Sequence, residues 1–432
     1  MKKGIILFLT FLTMLGLGRA SSVGADELYH QEDIMKLASD AGTPVDEFYR
    51  PKADILVDAK TGSILYGDHM DVVRDPGSIA KLMSIYVVLQ SIKEGKLTWE
   101  TEIRATEKDL AIATNPLVSN SPLVLGHSYK VRDLVRMSLI PSSSASVIML
   151  ANYISKDDPD KWLDLMNHWA GKAGMTRSHW NNPTGATTAT FDGHYSPKKY
   201  KQDAFNQTTA RDLASLGTHI VREFPELLDI TKNFKLTILK GTDEEQVIEN
   251  YNYSLEGGKY PLKGADGLKT GSSPKADYNY MVTVERKGQR FVQVIMGVGT
   301  YDVLDAEEKR HLIGNALAEK MFTSYEYRLV AKKGPLQIDG KTYDLPQDFY
   351  ASVKKDSKVK LLVDNGYLHV DNELKPLNSK ITNRLKVKEV SNQGKSSSRK
   401  IDWHLLFALI PLFILRAVLK HDKKKYGYGK LF

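Results

Sequence analysis

Ser78 and Lys81, three residues apart in Ser78-Ile79-Ala80-Lys81, directly after Asp75-Pro76-Gly77, are the side chains best spaced for covalent chemistry. Residues at i and i+3 share a helix face, which brings an alcohol within hydrogen-bond reach of an amine. A lysine crowded into an apolar site holds its proton less firmly and can act as a base toward that serine. The start of a helix also leaves N–H groups unpaired, here that of Ser78, and such a group can stabilise a developing oxyanion. An N-capping serine followed by a solvated lysine would read the same way. The spacing recurs at Ser196 to Lys199, Ser272 to Lys275, Ser352 to Lys355, Ser357 to Lys360 and Ser397 to Lys400. Only the copy at 78–81 opens a long apolar helix after a strand pair, so its context selects it.

Two further stretches carry complementary chemistry. In Pro141-Ser142-Ser143-Ser144-Ala145-Ser146 a serine between two apolar helical segments can relay a proton to a leaving nitrogen, or it can simply cap a helix. In Lys269-Thr270-Gly271-Ser272 the lysine and threonine suit a carboxylate, the glycine permits close approach to the backbone, and the Ser272 N–H offers a second oxyanion donor. Lys60-Thr61-Gly62 duplicates the triplet, but it precedes Ser78 and reads as turn chemistry. The eleven histidines include no His-Glu-x-x-His and no i, i+4 pair, and the chain has no cysteine, so the familiar zinc sites are absent and no metal or cofactor is expected. Neither a Gly-x-Ser-x-Gly elbow nor a phosphate-binding loop occurs.

The elements that must position these residues follow from periodicity. β-rich runs across 52–66 flank a Lys-Thr-Gly turn and predict a hairpin, and an apolar face from Ile79 to Leu89 predicts a buried helix ending near Gly95. Residues 96–225 read as a mostly helical insertion. The period then returns to two at Lys235–Leu239, Tyr280–Glu285 and Arg290–Val298, and 306–322 is helix-like. The expected fold class is α+β: an antiparallel sheet shared by the first hairpin and the last strands, with helices packed against it and a helical subdomain. Short alternating runs with Asp339-Gly340 and Asn365-Gly366 turns predict a small all-β domain over 326–391, which has no catalytic cluster and reads as a spacer or docking unit.

The 432 residues, with 42% hydrophobic and 26% charged, fit a folded protein of two or three domains. The net charge of +8 resides at the ends: Lys2, Lys3 and Arg19 at one, and Arg416, Lys420, Lys423, Lys424, Lys425 and Lys430 against Asp422 at the other. The body between them is neutral, which argues against nucleic acid as a partner. Lys2 and Lys3, an apolar run from Ile5 to Leu17, and small residues up to Ala25 read as a signal peptide cut after Ala25 or Ala20. Residues 392–402 form a polar linker, 403–419 an apolar stretch interrupted by Arg416, and 420–432 a basic tail. That stretch either spans a membrane with the tail inside or lies flat in the interface, and both arrangements tether the body to the outer face.

Taken in order, Pro76-Gly77-Ser78-Ile79-Ala80-Lys81-Leu82-Met83, Ile140-Pro141-Ser142-Ser143, Asn182-Pro183-Thr184-Gly185, Thr209-Ala210-Arg211-Asp212-Leu213 and Asp266-Gly267-Leu268-Lys269-Thr270-Gly271 resemble the low-molecular-mass penicillin-binding proteins, the serine D-alanyl-D-alanine carboxypeptidases. The resemblance covers roughly residues 45–325 and implies a penicillin-binding, transpeptidase-like catalytic domain over 26–325. It implies Ser78 as the acylated nucleophile, Lys81 as its base and Ser142 as proton shuttle. Lys269 and Thr270 would hold the substrate carboxylate, and the N–H groups of Ser78 and Ser272 would form the oxyanion hole. The implied partners are peptidoglycan stem pentapeptides, which lose their terminal D-alanine, and β-lactams, which inhibit as slow acyl-enzymes. The implied location is the extracellular face of a bacterial membrane, in cell-wall biosynthesis and cell shape. One departure stands out: Ser144 occupies the place of the family's substrate-binding asparagine, and a hydroxyl cannot offer both an amide donor and a carbonyl acceptor. Ser144-Ala145-Ser146 is a second register for the same motif. The sequence leaves open a transpeptidase or β-lactamase using the same site, and a non-catalytic wall-binding relative.

Overall fold

The computed structural model describes residues 32–390; the expected signal peptide at 1–25 and membrane anchor at 403–419 lie outside the described residues. Among the described residues no helix is long and apolar enough to cross a membrane.

The hairpin forms as expected, with β1 at Ala53–Asp58 and β2 at Ile64–Asp68. Three late strands, β3 (Ala265–Ser273), β4 (Asp277–Arg286) and β5 (Gln289–Val298), complete a five-stranded antiparallel sheet in the order β2-β1-β5-β4-β3. β1 is buried along its whole length because both sheet faces are covered. Ile55, Val57, Met281, Val292 and Val294 join one core with helices α1 (Ala80–Lys93), α2 (Ser144–Ser155) and α3 (Ala210–Glu223). Their strand neighbours Leu56, Tyr280, Val282, Phe291 and Ile295 face the opposite way, onto α4 (Ala306–Ser324) and the short helix Ile34–Asp40. All of α1 but Ile92 and Lys93 is buried, which explains why its sequence is apolar on every side. Each fully buried leucine, isoleucine or valine in it contributes ~1.5–3 kcal/mol.

One expectation about the sheet is corrected. The run at Lys235–Ile238 pairs only with Gln246–Glu249 in a separate two-stranded ribbon, which turns Ile238 and Ile248 into the core that contains α1 while Lys235 and Thr237 stay exposed. Lys269-Thr270-Gly271 lies within a strand of its own, β3, at the sheet edge. Its Gly and charged residues hid it from periodicity. The helical insertion also contains a small hairpin, Glu102–Arg104 with Ser128–Lys130.

Beyond α4, three small sheets enclose a core of Ala331, Tyr343, Leu345, Phe349, Leu368 and Val387. The stretch before its last two strands leaves this core and docks on the catalytic domain. Leu377 and Ile381 are buried in the core that contains α1, and the Leu377 N–H donates to Gly62 O at 2.8 Å. Gly62, at φ +73, leaves no room for a side chain, since a Cβ there would lie 2.5 Å from Ile381 Cγ2. Thr61 Oγ1 meets Ser352 Oγ at 2.7 Å, and Lys380 Nζ donates to Gly171 O and Lys172 O at 2.8 Å each. The duplicate Lys60-Thr61-Gly62 is thus a turn, as its chemistry suggests, and the place where the β domain docks.

Candidate active site

Ser78 sits in a short 3-10 turn, Gly77–Ile79, that runs straight into α1. Lys81 Nζ donates to Ser78 Oγ at 2.9 Å. Lys81 is 2% exposed, and burial lowers its ammonium from 10.5 to about 7. The bland alternative therefore fails on both residues: the lysine is not solvated, and the turn has no side-chain cap.

β3 lies alongside this turn. Gly271 approaches it so closely that a Cβ would stand 2.4 Å from Pro76 O and 3.0 Å from Ser78 N. The missing side chain is thus taken up by the turn of the nucleophile rather than by an incoming substrate. A Cβ on Gly77 would lie 3.1 Å from Ser272 N, so the N–H groups of Ser78 and Ser272 border the same small space. Lys269 is 1% exposed and donates to Thr270 O at 3.0 Å. Burial first, then the charges of Lys81 and Arg310, hold its ammonium well below the ordinary lysine value. The charge of Lys81 thus disfavours a second charge on Lys269. A carboxylate beside Lys269 would restore its proton and leave Lys81 neutral. Thr270 is buried next to it.

The serine run divides its duties. Ser143 caps α2, its Oγ accepting from Ser146 N at 3.3 Å and Ser146 Oγ at 2.9 Å. That contact commits the Ser146 hydroxyl and disfavours the register Ser144-Ala145-Ser146. Ser142 takes a left-handed φ of 65°, and the Oγ atoms of Ser142 and Ser144 are both buried without a protein partner. Buried hydroxyls are normally satisfied, which sets these two apart from Ser143 and Ser146. Ser142 makes no hydrogen bond to Ser78, Lys81 or Lys269; it lies two residues before α2, the helix that packs on α1.

Sequence reasoning missed several supports. Asp75 Oδ1 accepts the Gly77 N–H at 2.6 Å, and burial raises its carboxyl to about 6. Gly185, at φ +97, would place a Cβ 2.2 Å from Gly77 O, so the Asn182-Pro183-Thr184-Gly185 loop is a floor beneath Ser78. That floor is held by Asn182 Oδ1 accepting Gly185 N at 2.7 Å and by Ser84 Oγ donating to Pro183 O at 2.7 Å. Asn120 Oδ1 accepts the N–H groups of Ser144 and Ala145 at 3.1 and 2.9 Å. Arg310 of α4 is wholly buried and donates to Ser272 Oγ at 3.0 Å, Asn279 O at 3.1 Å and Glu307 Oε1 at 3.1 Å. Desolvation pulls its guanidinium down to about 10. Only the Glu307/Arg310 spacing is legible locally; its reach across the sheet edge is not. Among the described residues no group of three or more histidine, aspartate and glutamate side chains gathers to hold a metal ion.

A serine paired with a buried lysine at the start of a central helix, faced by a Lys-Thr-Gly edge strand in an α+β layered domain, is the arrangement of the penicillin-binding, transpeptidase-like fold. The chain belongs to the D-alanyl-D-alanine carboxypeptidase family, whose model matches residues 42–300. A domain of unknown function matches residues 327–388, the small β domain. D-alanyl-D-alanine carboxypeptidase DacA of Escherichia coli K12 is 27% identical over 263 residues, covering 60% of this chain and 59% of that protein. DacF of Bacillus subtilis is 22% identical over 285 residues, covering 66% and 65%. The chain thus spans about six-tenths of the length of the curated relatives it matches. Among solved structures, a peptidoglycan synthesis regulatory factor, PBP3, of Streptococcus pneumoniae aligns with a TM-score of 0.66 at 25% identity, covering 78% of this chain and 97% of that one. The carboxypeptidase DacD of Francisella tularensis aligns with a TM-score of 0.61 at 23% identity, covering 82% and 98%.

Proposed function

We propose that this protein is a serine-type D-alanyl-D-alanine carboxypeptidase that removes the terminal D-alanine from peptidoglycan stem pentapeptides and is inhibited by β-lactams. The observation that carries the reading is the 2.9 Å contact from Lys81 Nζ to Ser78 Oγ with the lysine buried and held near neutrality. Lys269 and Thr270 bind the terminal carboxylate, and the charge that binding fixes on Lys269 keeps Lys81 uncharged. Lys81 accepts the proton of Ser78 as Oγ attacks the scissile carbonyl carbon. The tetrahedral oxyanion is met by the N–H groups of Ser78 and Ser272. As the Ser142 hydroxyl passes its proton to the departing D-alanine nitrogen, Lys81 hands the proton taken from Ser78 on to Ser142, the C–N bond breaks, and an ester on Ser78 remains with Lys81 neutral again. Water then cleaves the ester, returning the serine proton and releasing the shortened peptide. Ser144 stands where the family's asparagine would meet the substrate backbone.

The same reading places the enzyme outside the cell, tethered to the membrane by residues 403–419 after removal of a signal peptide, and acting in cell-wall and cell-shape control. The order of basic, apolar and small residues at 1–25 and the basic tail at 420–432 support that arrangement.

Intact-protein mass measured after exposure to benzylpenicillin tests the function. The expected result is one added penicilloyl group on the wild type, none on Ser78→Ala, and D-alanine release from a stem pentapeptide by the wild type alone. A wild-type chain that neither gains mass nor releases D-alanine would refute the reading.

A further inference from the structure

β4 and β5 pair in register from Arg286 opposite Gln289 to Tyr280 opposite Ile295, and then slip, so that Tyr278 faces Val298. Asn279 is left opposite two residues, Met296 and Gly297. Such a bulge bends its strand and re-aims the side chain beside it. Gly297 takes φ +72, a conformation that suits glycine. The Asn279 carboxamide fills the gap this makes: its Oδ1 accepts the Gly297 N–H at 2.8 Å. Its Nδ2 reaches the other way and donates to Asp75 O at 3.0 Å, three residues before Ser78. The backbone oxygen of Asn279 accepts from Arg310 at 3.1 Å, and its partner in the β3–β4 register is Gly271, the residue packed on the turn of Ser78. Asn279 is fully buried, with both ends of its amide committed.

A residue needed only to fill this space would not require a donor and an acceptor pointing in opposite directions. We propose that Asn279 is a positioning residue for acylation: its carboxamide fixes the Ser78 turn at its depth against β3, so that Ser78 Oγ and the N–H groups of Ser78 and Ser272 address one carbonyl group. The inference rests on the reading of Ser78 as nucleophile. Asn279 does not touch the substrate; it acts through Asp75 and the turn. A displacement of that turn by an ångström is enough to cost about a hundredfold in rate.

The test uses the full chain as wild type, Asn279→Ala and Asn279→Asp. Stopped-flow labelling with a fluorescent penicillin separates the dissociation constant of the pre-covalent complex from the acylation rate constant, and the melting temperature is recorded alongside. Asn279→Ala is expected to lower the acylation rate constant about tenfold to hundredfold, with pre-covalent affinity within about twofold of the wild type. Asn279→Asp is isosteric and, once ionised, still accepts from Gly297 but cannot donate to Asp75 O; its labelling is therefore followed from pH 6 to pH 9, and it is expected to lose acylation rate to a similar degree as the carboxyl ionises. If Asn279→Ala does not fold, Asn279→Asp alone decides. An Asn279→Asp chain that acylates at the wild-type rate across that range overturns the proposal, as does an Asn279→Ala chain whose only change is a lower melting temperature. A wild-type chain that takes no label overturns the nucleophile assignment as well, which the wild-type arm reveals separately.

Discussion

Replacing Lys81 by methionine should make the protein more stable while abolishing acylation. Desolvation alone accounts for the drop of the Lys81 ammonium from 10.5 to about 7, with no carboxylate to offset it. That drop corresponds to about 5 kcal/mol of penalty at pH well below 7, and to about 4 kcal/mol at pH 7.5. Methionine matches the length of the stem and loses the bond to Ser78 Oγ, worth about 1 kcal/mol. The net gain is about 3 kcal/mol at pH 7.5, or several degrees in Tm. The sign follows from linkage. A lysine whose folded value lies below its unfolded value binds its proton more tightly when unfolded, so the penalty starts near pH 10.5 and grows as pH falls to about 7. It is constant below that. The stability advantage of Lys81→Met should therefore be largest at pH 6–7 and vanish by about pH 10.5. Thermal melts of both chains at pH 6, 7.5, 9 and 10.5 measure it, with penicillin labelling to verify lost acylation. A variant less stable than wild type at pH 6, or a difference that ignores pH, would mean that Lys81 is charged and satisfied, and the general-base argument would fail.

Two further outcomes follow from the same site. kcat/KM for a D-alanyl-D-alanine peptide should rise with pH on an acid limb near 7 as Lys81 loses its proton; a profile flat from pH 5.5 to 8 would contradict it. Ser144→Asn restores a carboxamide at a position whose hydroxyl is unpartnered, and should raise kcat/KM about tenfold to hundredfold, the worth of ~1–3 kcal/mol of hydrogen bonding. An unchanged kcat/KM would show that position 144 does not meet the substrate.

The comparison between chain and fold turns on how far apart the partners lie. Ser78 and Lys81 were legible because their relation is local: helical spacing places them together, and the apolar run after them announces burial. The first hairpin, α1, β4, β5 and α4 were legible for the same reason, each repeating a regular period over enough residues. β3 was not, because Asp266, Gly267, Lys269 and Gly271 break the alternation and only pairing with β4 makes a strand of them. Nor could sequence say that Gly271 and Gly185 are bare to admit the Ser78 turn, or that Arg310 and Asn279 reach into the site, since each contact joins residues brought together by the sheet.

The sequence by itself determined which groups carry the chemistry: a serine with a lysine one helical turn away, a serine-rich turn and a Lys-Thr-Gly triplet, in an order shared with one enzyme family. Tertiary structure alone decided their protonation, because burial that strips water from Lys81 and Lys269 is a property of the packed sheet and helices and not of any local segment. It also decided which of two identical Lys-Thr-Gly triplets faces the nucleophile and which anchors the β domain, a difference set by what each one packs on: Pro76 to Ser78 for Gly271, and Leu377 and Ile381 for Gly62.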